Sequence, residues 1–273
     1  MQNSLPKLVT FDGEARSGKG TVVGLVKDYL RDVEGYSVMF IDAGQVFRVL
    51  VVAITRAGVD IESPAAVDAY LGDDANIATC VQLVKDVYHM PKSERESLLY
   101  TSEVGVNSAK VGARPLSQTF KDNLLRKWLR DARAEGFDIV LLDGRALEEI
   151  GVMLEREGLC KYILGLFFVC DPIVSAQRTL GQMPKPYNEL EGDFKEQVDT
   201  LVAQIKERNR ADSERAVQPV VMPRGAPRYI VTDVPDDIRG YKDRPMVIID
   251  RSPEIPFDIM GVPTAKLIAH YVV

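Results

Sequence analysis

The segment 8–30, LVTFDGEARSGKGTVVGLVKDYL, admits few folds. It opens on an apolar run, 8–11, with no polar alternation, the pattern of a strand covered on both faces. It closes on residues 21–30, where Val22, Val23, Leu25, Val26, Tyr29 and Leu30 share one helical face. Between them Gly13 to Lys19 satisfies the spacing GxxxxGK. A strand that turns through glycines into a helix converges backbone amides on one point. The helix dipole makes that point favourable for an anion. Gly13 and Gly18 allow the tight backbone, and Lys19 adds a mobile positive charge. The plainer reading, a glycine turn before a structural helix, leaves the lysine and the following Thr21 without a purpose. Two positions are unusual: Arg16 lies inside the loop, and Gly20 follows the lysine where a hydroxyl residue is common.

Four further apolar runs read as buried strands, at 38–41, 139–142, 163–169 and 246–249. Helical periodicity lies between them, most clearly at 117–135, where Phe120, Leu124, Leu125, Trp128 and Leu129 share a face. Alternating strands and helices predict a doubly wound, mostly parallel sheet. Three segments break the rhythm. Residues 60–100 are largely helical by pattern, 181–215 run from a loop into a charged helix at 194–210, and 224–245 are polar and turn-rich. The chain has 273 residues, 46% of them hydrophobic, enough for one large α/β domain or a core domain with insertions. The net charge of −6 argues against broad binding to nucleic acid. The three cysteines and two histidines have no metal-ligand spacing and read as structural or surface residues. No signal peptide and no apolar run of about 18 residues is visible, so the expectation is a soluble cytoplasmic protein without a membrane partner.

The loop's Lys-Gly-Thr resembles that of nucleoside monophosphate kinases, and a longer resemblance follows it. "FIDAGQVFRVLVVAITRAGVDI" is similar to the cytidylate kinase signature, a strand, Asp-Thr/Ser-Gly-x-x-Tyr-Arg and a helix leading to Ala-Gly-Val-Asp. "TSEVGVNSAKVGARP", "VLLDGR", "CDPIVSAQR", "RNRADSERAVQPV" and "VIIDRS" resemble later motifs of that family in the same order. The resemblance covers about two thirds of the chain. It implies a P-loop NTPase fold with a five-stranded parallel sheet and helices on both faces. It further implies one kinase domain over 1–273, with a helical acceptor-binding insertion at 60–100, a lid region at 179–207 and a polar insertion at 224–245. The implied activity moves the γ-phosphoryl group of ATP, with Mg2+, onto CMP or dCMP, in a monomer or homodimer.

The same resemblance assigns roles. Gly13, Arg16, Ser17, Gly18, Lys19, Gly20 and Thr21 hold the donor, and Arg178 falls on a lid arginine that neutralises its charge. Arg48, Arg145 and Arg215 fall on positions that hold the acceptor phosphate. Arg208 and Asp212 fall near the acceptor sugar and phosphate. Thr21 and Asp143 approach the metal through water. Lys19, Arg16, Arg145 and Arg178 are thereby the catalytic set. The chemistry agrees, because phosphoryl transfer needs positioning and charge neutralisation more than a general base, and planar arginines hold phosphates by two bonds. The plainer reading of Arg208 and Arg215 is a solvated helix face.

Departures from the family pattern cluster on the base-reading side. Ala43 stands for a Thr or Ser, Ala109 for a serine, Gln118 for an arginine, and Ala146 for the last aspartate of Asp-Gly-Arg-Asp. A site without those polar partners loses discrimination among bases. The acceptor is thus open: dTMP, UMP or a non-nucleotide are alternatives, as is a catalytically degenerate nucleotide-binding regulatory protein. Arg16 resembles the loop arginine of some thymidylate kinases, and with Thr179 where a second lid arginine is usual, Arg16 can supply charge to the donor. Its plainer reading is a side chain pointing into solvent.

Overall fold

The computed structural model describes residues 4–215, 217–238, 240–241 and 244–273. In chain order the elements are β1 (Lys7–Gly13), α1 (Lys19–Asp32), β2 (Val38–Asp42), α2 (Ala43–Arg56), α3 (Pro64–Leu71), α4 (Asp74–His89), α5 (Lys92–Leu99), α6 (Ser102–Gly112) and α7 (Pro115–Glu135). There follow β3 (Ile139–Asp143), α8 (Leu147–Arg156), β4 (Lys161–Val169), α9 (Pro172–Thr179), α10 (Gly192–Ser213), β5 (Arg228–Ile230), β6 (Gly240–Tyr241), β7 (Arg244–Asp250) and α11 (Val262–Val272). The chain forms two compact units, one from residues 1–41 with 129–273 and the other from 42–128.

The first unit carries the sheet, in the order β2-β3-β1-β4-β7-β5. β1 pairs in parallel with β3 on one side and β4 on the other. β4 continues in parallel to β7, and β7 to β5. The five predicted strands are all present, but among the described residues the parallel sheet has six strands rather than five, and two-residue β6 pairs antiparallel with β7. The missed strand, β5, has only three residues on an exposed sheet edge, so it shows no apolar run. Residues 224–245, read from sequence as polar and turn-rich, supply it, and also bury Val231, Val234 and Ile238 in the main core.

That core packs the faces of β1, β3, β4 and β7 against α1 and α11. Leu8, Val9 and Phe11 are fully buried, which explains why β1 is apolar without alternation. Because β1 has β3 on one flank and β4 on the other, its carboxyl end is a topological switch point, where open α/β sheets bind ligands. Gly13 closes the strand there with φ of +149°. A Cβ on it would lie 2.3 Å from the Phe168 carbonyl oxygen, so no other residue fits. That carbonyl accepts the Glu14 amide at 2.9 Å, tying the start of the loop to β4.

The second unit is helical and has its own core, with Val46, Leu50 and Ile54 of α2 buried beside Val67, Leu71, Cys80, Leu83, Val87 and Leu99. Segment 60–100, expected to be helical, forms α3 to α5. Ser63, Asp73 and Thr101 cap α3, α4 and α6 through their side chains, the residue types that satisfy free amides at a helix start. Among the described residues no helix is long and apolar enough to cross a membrane.

Candidate active site

The loop between β1 and α1 has the geometry its glycines predict. Gly18 is the N-cap of α1 in the left-handed region, φ +78°, and no side chain caps the helix. The first-turn amides therefore have no side-chain acceptor, and an anion is the group that suits them. Ser17 is buried, and its hydroxyl has no hydrogen-bond partner. An uncapped helix start beside an orphaned buried hydroxyl fits the oxygens of a phosphate chain. From below, Asn209 of α10 accepts the Ala15 amide at 2.8 Å and fixes the loop's crown.

Lys19, the first residue of α1, folds back to the sheet. Its Nζ donates to the Phe11 carbonyl at 3.1 Å, to the Gly144 carbonyl at 2.5 Å and to the Asp143 carboxylate. The lysine is thus placed between the carboxyl ends of β1 and β3. Thr21 is exposed on the first turn of α1, and Gly20 beside it has open space where a Cβ would be.

Asp12, which the sequence reading passed over, organises the next turn. It is a carboxylate inside a buried strand, 8% exposed. Its oxygens accept the Gly13 amide at 2.7 Å and the Leu147 amide at 2.8 Å. Leu147 begins α8, whose N-cap is Ala146 in the left-handed region, φ +55°, with no side chain to cap it. Asp12 therefore does remotely what a capping aspartate does locally. Burial raises its carboxyl pKa above the ordinary value, and the Lys19 charge offsets only part of that rise. The visible signal was an acid closing an otherwise apolar strand.

The turn from β3 to α8 projects Arg145 onto α10. Its guanidinium pairs with the Asp212 carboxylate, which also binds Arg215. Arg208 Nε lies 3.9 Å from the same carboxylate, one helical turn away. One buried acid, 4% exposed at the side chain, thus gathers three cations. Burial pulls the Arg145 pKa down to about 9, and the charges of Arg208 and Arg215 add to that. Arg215 is lowered by burial too. Asp212 alone does not balance three cations, and although Asp12 and Asp143 offset part of the charge on Arg145, such a cluster suits a further anion.

The two arginines that the family resemblance assigns to the donor are placed differently. Arg178, at the end of α9, donates to the carbonyls of Arg251 at 2.5 Å, Ser252 at 3.3 Å and Pro253 at 2.8 Å. It fastens the segment after β7. Arg16 is exposed, with φ +56°, a conformation that costs a non-glycine residue about 1 kcal/mol. Its Nη1 donates weakly to the Thr179 hydroxyl at 3.4 Å.

Arg48 belongs to the second unit. Its Nη1 donates to the Leu99 carbonyl at 2.8 Å, and its guanidinium lies 4.5 Å from the centre of the Tyr100 ring. Tyr100 in turn donates to Asp42 at 3.1 Å, and Asp42 caps α2 through the Gln45 amide. Gln118 is buried; its amide nitrogen donates to the Gly112 carbonyl, and its oxygen accepts from Lys121 Nζ at 2.9 Å. Ser108, next to Ala109, donates to the Gly105 carbonyl at 2.8 Å.

Comparison with known proteins agrees with this geometry. The cytidylate kinase family model matches residues 9–234. The cytidylate kinase of Vibrio cholerae serotype O1 is 31% identical over 215 residues, 78% of this chain and 83% of its own length. Those of Shewanella piezotolerans and Shewanella pealeana are 30% and 29% identical over the same shares. With its phosphate loop at the switch point of a parallel sheet and an arginine cluster beside it, the chain belongs to the cytidylate kinase family, and it is an ATP-dependent phosphotransferase of the nucleoside monophosphate kinase class.

Proposed function

We propose that the chain transfers the γ-phosphoryl group of ATP to CMP or dCMP. The observation that carries this reading is the adjacency of two anion sites. Lys19 and Asp143 end one side of the turn 143–147, and Arg145, held by Asp212, projects from the same turn. A donor phosphate on the loop and an acceptor phosphate on the arginines are brought to one short stretch of backbone. Gly13, Ser17, Gly18, Gly20 and Thr21 hold the donor, while Lys19 follows the transferring group. Arg145 and Arg215 orient the acceptor, with Arg208 at its rim. Asp143 and the Thr21 hydroxyl are the oxygen ligands suited to Mg2+ through water. When bound, Mg2+ neutralises charge on the phosphate oxygens. The protein's part is to align the reacting oxygens and to keep cations where charge develops. The names of the relatives support the cytidine acceptor.

A second reading, a broader acceptor range, is favoured by one observation. The positions that depart from the family lack free polar atoms: Ala43 and Ala109 have none, and the Gln118 amide is already spent on Gly112 and Lys121. A panel of nucleoside monophosphates assayed for ADP formation with Mg-ATP tests both. Turnover with CMP or dCMP is expected, with preference over UMP under about 100-fold, since contacts without matched hydrogen bonds separate similar ligands poorly. Preference far above that, or turnover only with another acceptor, overturns one reading or the other. No ADP with any acceptor would leave a regulatory nucleotide-binding role.

Arg16 gives a sharper test of the loop. Glycine takes φ +56° without strain, so Arg16→Gly should melt no lower than the wild type. The arginine's worth lies in charge near the donor, so the same variant should turn over about 100-fold more slowly, with the KM for ATP little changed. An unaltered single-turnover rate would return Arg16 to the role of an exposed side chain.

A further inference from the structure

One cation near the loop has no part in the cluster already described. Arg251 follows β7 directly and is 5% exposed. Its Nε and Nη1 are buried without a hydrogen-bond partner. Among the described residues no carboxylate pairs with it. The leading charge acting on it is another cation, Arg178, which donates to the Arg251 carbonyl. Burial and the Arg178 charge both pull its pKa down. An unpaired guanidinium buried beside a like charge is costly, and it persists where a site requires it.

Its position says what it serves. A Cβ on Gly18 would lie 3.5 Å from Arg251 Nε and 3.7 Å from its Nη2. The guanidinium therefore lies against the uncapped start of α1, on the loop itself. Across the sheet the order is β3-β1-β4-β7. Lys19 leans toward β3, where Asp143, Arg145 and the acceptor arginines are. Arg251 arrives from β7, on the opposite flank. A phosphate chain laid along the loop with its transferring end at Lys19 has its nucleoside end on the Arg251 side.

We propose that Arg251 is a donor-binding residue whose guanidinium takes the α-phosphate of the nucleoside triphosphate, at the flank of the loop away from the acceptor. This rests on the kinase reading above. The residue touches a group that does not react, so it contributes to donor affinity more than to the chemical step. It also explains why so buried a charge is left unpaired by the protein: the ligand completes it.

The experiment compares wild type, R251M and R251K by thermal melting without nucleotide and by calorimetric titration with Mg-ATP and with pyrophosphate. R251M removes an unpaired buried charge, so it should melt at or above the wild type. Its affinity for ATP should fall about 10- to 100-fold, the worth of a charge-assisted bond to phosphate. Pyrophosphate, which lacks the nucleoside-side group, should bind both proteins within about threefold. R251K keeps the charge and should retain part of the ATP affinity. R251M that binds ATP as tightly as wild type, or that melts lower with ATP binding intact, overturns the proposal. So does an equal loss of pyrophosphate. Should R251M not fold, R251K with undiminished ATP affinity overturns it. Wild-type protein that binds no ATP would instead sink the kinase reading itself.

Discussion

Lys19→Ala is expected to slow phosphoryl transfer on the order of 10³-fold, with the fold retained. The Lys19 Nζ is anchored at the ends of β1 and β3, beside the turn that carries Arg145. Charge spreads over the γ-phosphoryl oxygens during transfer, and a cation placed there beforehand acts most strongly at the transition state. The loss should therefore appear in kcat more than in the KM for ATP. Stability should fall as well: Lys19 and Asp143 are 15% and 14% exposed at their side chains, so removing the lysine leaves a mostly buried carboxylate without this partner. Steady-state ADP formation beside a thermal melt separates the two effects. Turnover within tenfold of the wild type would remove Lys19 from the catalytic set.

Asp212→Ala is expected to be the most damaging change outside the loop. It removes the acid that Arg145 and Arg215 share and that Arg208 approaches. Two partly buried guanidinia are left with only the weaker influence of Asp12 on both, and of Asp143 on Arg145, to oppose their charge. Breaking a buried ion pair from one side costs about 3–5 kcal/mol, and the arginines' remaining access to solvent, 21% and 23%, favours the lower end. At about 3 kcal/mol, a chain of this size should melt roughly 6–12 °C lower. The acceptor site should fail at the same time, since Arg145 and Arg215 lose the group that orients them, and the KM for the acceptor should rise at least about tenfold. Acceptor phosphate, bound in excess, should recover part of the lost melting temperature by supplying the missing negative charge. A variant that melts normally and binds acceptor normally would show that the arginines are held by other contacts.

The sequence by itself determined the sheet strands at 8–11, 38–41, 139–142, 163–169 and 246–249, and the phosphate loop between the first strand and its helix. These features are local. A strand buried on both faces must be apolar without alternation, and a loop that brings its backbone to a phosphate must have glycine at Gly13 and Gly18. The tertiary structure decided what depends on neighbours distant in the chain. β5 is three residues long on an exposed edge and exists because β7 offers it a ladder, not because its own residues demand a strand. Asp12 became a helix cap only because α8 begins beside it, 135 residues later. Arg178 lies where the family pattern has a lid arginine, yet carbonyls of 251–253 take its donors. Arg145, Arg208 and Arg215 look alike in sequence, as cations in polar surroundings. Only the fold brings them to one acid, and only the fold leaves Arg251 with none among the described residues. Periodicity reports which face a residue turns to the core. The partner of a buried charge is a matter of three-dimensional contact, and no local pattern encodes it.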